Sequence, residues 1–151
     1  MSTSQIIEGE YEPSSARWVR EQVDLYERTG GREGNTLMDT GMPVVILTTR
    51  GRKSGNVRKS AVMRVEHDGE YAVVGSLGGA PEHPSWVHNL RAAPDEVALQ
   101  DGPEPFAAHA REVEGDERAR WWGRAVEAFP AYADYREKTD RHIPVFVVSP
   151  A

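Results

Sequence analysis

The chain has 151 residues, of which 38% are hydrophobic, with 18 basic and 24 acidic side chains, a formal charge of -6 and no cysteine. A single domain of that length buries roughly 70% of the surface its unfolded chain exposes, and the lack of cysteine excludes disulfides, thiolate-held metals and a cysteine nucleophile. No apolar run nears the ~20 residues of a membrane span, the N-terminus has no signal-like region, and overall acidity argues against DNA or RNA as partner, so the composition reads as a soluble, cytoplasmic protein.

Residues 1–13 are polar and read as a flexible arm ahead of one domain over 14–151. Ser14 or Ser15 can cap a helix over 16–28, where Val19, Val23 and Tyr26 recur at i, i+4 and i+7 with Trp18 and Leu25 beside the stripe. Its polar side mixes Arg20, Glu21, Asp24, Glu27 and Arg28, which favours packing on its own domain over lying on a membrane. Thr29-Gly30-Gly31 ends the helix, and 32–43 reads as a loop. The β-branched run 43–49 suits a buried strand. Strands over 59–67 and 70–75 follow, and Asp68-Gly69 between them is a strong hairpin signal. Ser76-Leu77-Gly78-Gly79 makes a Gly-rich loop, Pro84 opens a short helix through Trp86, Leu90 and Arg91, and Pro94 closes it. Strands over 97–100 and 106–113 flank the turn Asp101-Gly102-Pro103. Gly115-Asp116 opens a helix with Trp122, Ala125, Val126 and Phe129 at helical spacing. Pro130 breaks it and starts a second piece with Tyr132 and Tyr135, and a last strand covers 143–148. Six mostly antiparallel strands with attached helices predict an α+β or barrel domain.

The stretch 50–64, RGRKSGNVRKSAVMR, holds six basic residues (Arg50, Arg52, Lys53, Arg58, Lys59, Arg64) and no acidic one, which leaves a charge of -12 on the rest of the chain. Such a local reversal of field favours a small polyanion over a long nucleic acid, the plain alternative being a solvated basic hairpin. Gly51 and Gly55 allow tight curvature around Arg52-Lys53-Ser54, so that backbone N–H groups, a guanidinium, an ammonium and a hydroxyl can converge on a phosphate. The spacing is neither a Walker A loop nor a Rossmann glycine motif. The paired glycines of 76–79 let a ligand approach the backbone, or serve as an ordinary strand-to-helix connection. The five histidines show no metal spacing, and no G-x-S-x-G elbow supports serine hydrolase chemistry. Phe129, Tyr132 and Tyr135 recur every third residue, a stripe that suits either a core or the wall of a flat-ring site.

Taken in order, TTRGRKSGNVRKSAVMRVEHDGEYAVVGSLGGAPEHPSWVHNL and FPAYADYREKTDRHIPVF resemble the deazaflavin (coenzyme F420)-dependent nitroreductase family, quinone-reductase-like members included, over nearly the whole chain. The resemblance implies an α+β split β-barrel of the FMN-binding, flavin-reductase kind, with an N-terminal helix and C-terminal helices, that binds F420 in place of FMN. It implies that Arg52, Lys53, Ser54 and Gly55 hold the phosphate and that Arg58 or Lys59 faces the acidic tail. Ala61 and Met63 would border the deazaflavin, Ser76, Leu77, Gly78 and Gly79 would lie along the ring, and Trp86 and Asn89 would close the pocket. Phe129, Tyr132 and Tyr135 would face the substrate, with Tyr132 or Ser76 as the hydroxyl that meets charge developing on the acceptor. The expected activity is hydride transfer from reduced F420 to a quinone, or to an activated enone or nitro compound. A non-catalytic F420 or flavin store and an FMN-dependent oxidoreductase are the alternatives. Relatives often carry Lys where this chain has Leu77 and Tyr where it has Val87 or Phe129. Oligomeric state and a peripheral contact with the inner face of a membrane stay open at this level.

Overall fold

The computed structural model describes residues 6–37 and 40–151; residues 1–5 of the arm and 38–39 of the loop over 32–43 lie outside the described residues. Helix α1 (Arg17–Thr29) ends at Gly30, whose left-handed φ of 63° suits a residue without a Cβ. Neither serine caps it. Ala16 holds the N-cap position, and the Ser14 hydroxyl instead accepts the Ala16 N–H at 3.1 Å. The strands are β1 (Val44–Arg50), β2 (Val57–Met63), β3 (Glu66–His67), β4 (Glu70–Val74), β5 (Val97–Gln100), β6 (Pro105–Glu112) and β7 (Val145–Pro150). The remaining helices are α2 (Ser85–Ala92), α3 (Gly115–Ala128) and α4 (Ala131–Lys138), and Leu77–Gly79 forms one tight helical turn. No helix among the described residues is long and apolar enough to cross a membrane.

All neighbouring strands pair antiparallel, in the order β2-β1-β5-β6-β7-β4-β3. The run expected to form one strand over 59–67 is therefore two. After Met63 pairs with Val44 the chain leaves β1, and Glu66 pairs with Tyr71 at the opposite edge. A flat sheet of this many strands would separate its edges by about 29 Å. The three Cα steps from Met63 to Glu66 reach at most about 11 Å. The sheet must therefore curl until its edges meet, which brings β2 against β4 and makes the half-closed barrel that the resemblance implied.

Both faces of the curled sheet are covered, which explains why β1 and β7 are continuous apolar runs rather than alternating ones. On one face Val44, Ile46, Met63, Val74, Val145 and Val147 pack with α1, α3 and α4. On the other, Val45, Leu47, Val73, Leu99 and Val148 pack with Trp86, Val87 and Leu90 of α2. The segment read as a free arm lies on the sheet from residue 6 onward. Ile7 is buried with Val57 and Ala98, the Val57 N–H donates to Glu10 O at 2.7 Å, and the Glu12 N–H donates to Val57 O at 2.9 Å.

Two polar ties fix α1 on this frame. The Gly102 N–H donates to the Tyr26 hydroxyl at 2.8 Å, and the buried Lys59 ammonium donates to Glu27 at 2.7 Å while lying 4.8 Å from the Tyr11 ring centre. An ammonium with 3% exposure depends on its counter-charge. Glu27→Ala should lower stability by about 3 kcal/mol in urea unfolding, and Glu27→Leu combined with Lys59→Met should recover most of that loss. A single variant as stable as the parent would contradict the role given to the pair.

Candidate functional site

The basic cluster is largely neutralised by the fold. Arg50 bonds Glu96 at 2.9 Å, Arg58 bonds Glu12 at 2.7 Å, Lys59 bonds Glu27 at 2.7 Å and Arg64 bonds Asp101 at 2.9 Å. The side chains of Arg52 and Lys53 are exposed and have no ion pair or hydrogen bond among the described residues. The turn that carries them is pinned from below. The Arg52 N–H donates to Asn89 Oδ1 at 2.9 Å, the Asn89 amide donates to Thr49 at 3.1 Å, and Gly51 and Gly55 close the loop at 2.9 Å. Gly55 has φ 76°, a conformation that favours glycine. Ser54 is less available than its motif suggested. Its hydroxyl accepts the Asn56 N–H at 3.1 Å and lies near the Glu12 carboxyl, which is held below the usual range first by Asn56, then by Ser54 and Arg58.

A second group of residues gathers where β4 leaves the sheet. Arg141, just after α4, donates to Ser76 O at 2.6 Å and to Ala80 O at 2.8 Å, and its third nitrogen meets His83 Nδ1 at 2.8 Å. The tight turn at 77–79 is thus bracketed by one guanidinium, with Leu77 at φ 45° and 49% exposed. Gly79 is required by contact as well as by its φ of 81°, since a Cβ there would sit 3.0 Å from Tyr135 O of α4. Burial and then the Arg141 charge depress the His83 pKa, so a neutral imidazole accepts from Arg141.

Over this loop, Phe129, Tyr132 and Tyr135 form a mutually packed aromatic wall. Ring centres are 5.0 Å apart for Phe129–Tyr132 and 6.3 Å for Tyr132–Tyr135, and Trp122 packs on Tyr132 at 6.3 Å. Met63 and Ala61 of β2 belong to the same cluster, so closure of the sheet brings the predicted ring-bordering and substrate-facing residues together. Burial drives the Tyr132 pKa far up, which keeps its phenol protonated and a donor. The Tyr132 hydroxyl has no hydrogen-bond partner among the described residues.

Residues 18–150 match the model of the F420H(2)-dependent quinone reductase family. The chain belongs to that family. It is 32% identical over 146 residues to an F420H(2)-dependent quinone reductase of Mycobacterium tuberculosis, which covers 89% of this chain and 97% of the relative. A solved F420-H2 dependent reductase is 54% identical, covering 71% of this chain and 94% of its own, with a TM-score of 0.67. A solved domain-swapped dimer is 49% identical over 90% of this chain and 100% of its own, with a TM-score of 0.69. The heme storage protein HutZ of Vibrio cholerae, 18% identical with a TM-score of 0.53 over 72% of this chain and 81% of its own, shares the fold.

Within this family frame three of the expected site residues also carry structural contacts. Lys59 is buried and paired with Glu27 at 2.7 Å, so meeting an acidic tail would require it to exchange that partner. Trp86 lies in the other cluster, edge-on to Phe146 at 6.2 Å, and does not reach the wall of Phe129 and Tyr132. Asn89 positions the basic turn through both ends of its amide. Conversely, the sequence showed Arg141 only as part of its closing motif, and its role comes from two carbonyls and an imidazole that lie 58–65 residues earlier. Arg141→Ala should speed amide exchange at residues 76–80 by about tenfold or more. His83 has a depressed folded pKa, so its stabilising contribution is present above about pH 6.5 and is lost as pH falls through the folded value. Protection factors of the same loop, with the intrinsic exchange rate at each pH divided out, should therefore fall on acidification in the parent and not in Arg141→Ala; a loop indifferent to both changes would reject the clamp.

Proposed function

We propose that this protein is an F420H2-dependent reductase of quinones, with Arg52 and Lys53 as the grip on the anionic arm of the cofactor. The observation that carries this reading is the pair of unpaired cations on a pinned, glycine-bounded turn in a cluster whose other four members are neutralised. A multiply charged arm needs such a grip and the chain's overall charge of -6 would otherwise repel it. Arg58 can add to it, because an exposed ion pair such as Arg58–Glu12 is weak enough for a ligand carboxylate to displace Glu12. Loop 76–79 and the pair Ala61 and Met63, gathered in the cluster of the aromatic wall, are the elements assigned to the ring.

Bound in its reduced form, F420 supplies a hydride, while the protein orients the reactants and excludes water. The Tyr132 phenol, held protonated by burial, donates a hydrogen bond to acceptor oxygen as negative charge develops there. Ser76, buried at the start of the loop, is the second candidate donor. Phe129 lacks a hydroxyl, which favours quinones over acceptors that need a further polar contact, with enones and nitro compounds next. A cytoplasmic enzyme with a weak peripheral contact at the membrane fits this reading, supported by Trp18, which is 53% exposed on α1.

Titrating the protein in parallel with F420 and FMN should show binding to F420 in preference to FMN, and menadione should drive oxidation of reduced F420. Arg52→Ala and Lys53→Ala should each weaken F420 by about tenfold and leave an isolated deazaflavin headgroup little changed. Tight F420 binding with no oxidation by quinone, enone or nitro acceptor would favour a storage protein, and FMN preference would reject the cofactor assignment. Tyr132→Phe should reduce kcat for menadione about a hundredfold with F420 affinity unchanged. Undiminished turnover would shift the donor role to Ser76.

A further inference from the structure

A cleft of about 310 Å³ opens beside α3, the end of α4 and residues 139–143, away from the basic turn. Arg118, Arg136 and Arg141 are among its lining residues, and Asp140 is the one carboxylate among them. His142, also on the wall, faces Glu114 at 3.3 Å. Arg118 donates to Ile143 O at 2.7 Å, yet its Nε is buried with no hydrogen-bond partner. Arg118 and Arg136 lie 5.4 Å and 5.5 Å from the centre of the same Trp122 ring, a contact that offsets part of their desolvation. Burial lowers the Arg118 pKa and the Arg136 charge adds to this, with only Glu114 opposing. Arg141 spends one N–H on each of its three contacts with residues 76, 80 and 83, so two of the five donors of a guanidinium remain. Three arginines line the cleft with Asp140, and with Glu114 also beside Arg118 and His142 the balance stays positive, a surplus that an oxyanion at the exposed Arg136 would relieve.

The cleft adjoins the aromatic wall. Arg136 follows Tyr132 by four residues on α4 and so shares its side of the helix. Trp122, which carries both guanidiniums, packs on Tyr132 at 6.3 Å. We propose that this cleft is an acceptor subsite for an anionic substituent, a carboxylate, sulfonate or phosphate, and that the preferred acceptors are anionic aromatic rings rather than neutral quinones. The acceptor role rests on the reductase reading above; the anion site itself does not.

The experiment has a binding arm and a kinetic arm, both on the full chain. Calorimetry with naphthalene-2-sulfonate, which cannot accept hydride, should show binding with and without F420, at least about tenfold tighter than 2-naphthol and weakened by salt. Arg136→Ala, an exposed position, should weaken the sulfonate about tenfold, and Arg136→Lys should restore part of the loss. In turnover with reduced F420, 1,4-naphthoquinone-2-sulfonate should have a KM well below that of menadione. Arg136→Ala should raise the first KM about tenfold and leave the second within about twofold. Absence of sulfonate binding, displacement of the sulfonate by F420, indifference to Arg136→Ala, or equal losses with both quinones would each overturn the subsite. Sulfonate binding that depends on Arg136, without turnover of either quinone, would keep the anion site and reject the reductase reading.

Discussion

The short passage through Arg64 and Val65 ties one edge of the sheet to the other, and the rest of the structure depends on it. Because so few residues join β2 to β3, the strands between them have no choice but to curl. Curling sets Met63 and Ala61 beside the exit of β4, where loop 76–79 begins, and leaves one face of the sheet for α1, α3 and α4. Arg64 itself is locked by Asp101, which also accepts from the Tyr71 hydroxyl at 2.7 Å, so the crossing is held by a polar network as well as by chain length.

Charge in this protein is organised by subtraction. A basic hairpin in an acidic chain suggests a broad cationic surface, but carboxylates from the arm, α1 and the β5 region claim most of it. Two cations are left at the tip of a turn whose base is fixed by Asn89. Pre-organisation of that kind reduces the ordering cost of gripping a flexible anion. Arg118, Arg136 and Arg141, from α3, α4 and the segment after it, likewise line one cleft with Asp140 as the one carboxylate among its lining residues.

Arg141 links these regions mechanically. It joins the segment after α4 to the loop after β4, while Gly79 lets the α4 backbone approach that loop directly. Movement of the wall and movement of the loop are therefore coupled through one side chain. A neutral His83 is part of that coupling, which ties loop order to pH on the acid side of neutrality.

Much of the architecture was legible in the residues because its signals act over short range. β-branched runs marked β1 and β7, Asp68-Gly69 marked the β3–β4 turn, and Pro130 separated α3 from α4. The stripe of Phe129, Tyr132 and Tyr135 and the ordered motifs that led to the F420 family were equally local. What local signals left out were the partners supplied by distant segments. Lys59 looked like its neighbours until Glu27, 32 residues earlier, was placed beside it, and Arg50 and Arg58 each met a carboxylate 46 residues away. Trp86, expected at the pocket, packs edge-on to Phe146 on the α2 side of the sheet. Local order therefore settled which residue types and turns the chain contains, and closure of the sheet alone chose which cations and rings stay free, because a charge or an aromatic face is available only if nothing folded against it.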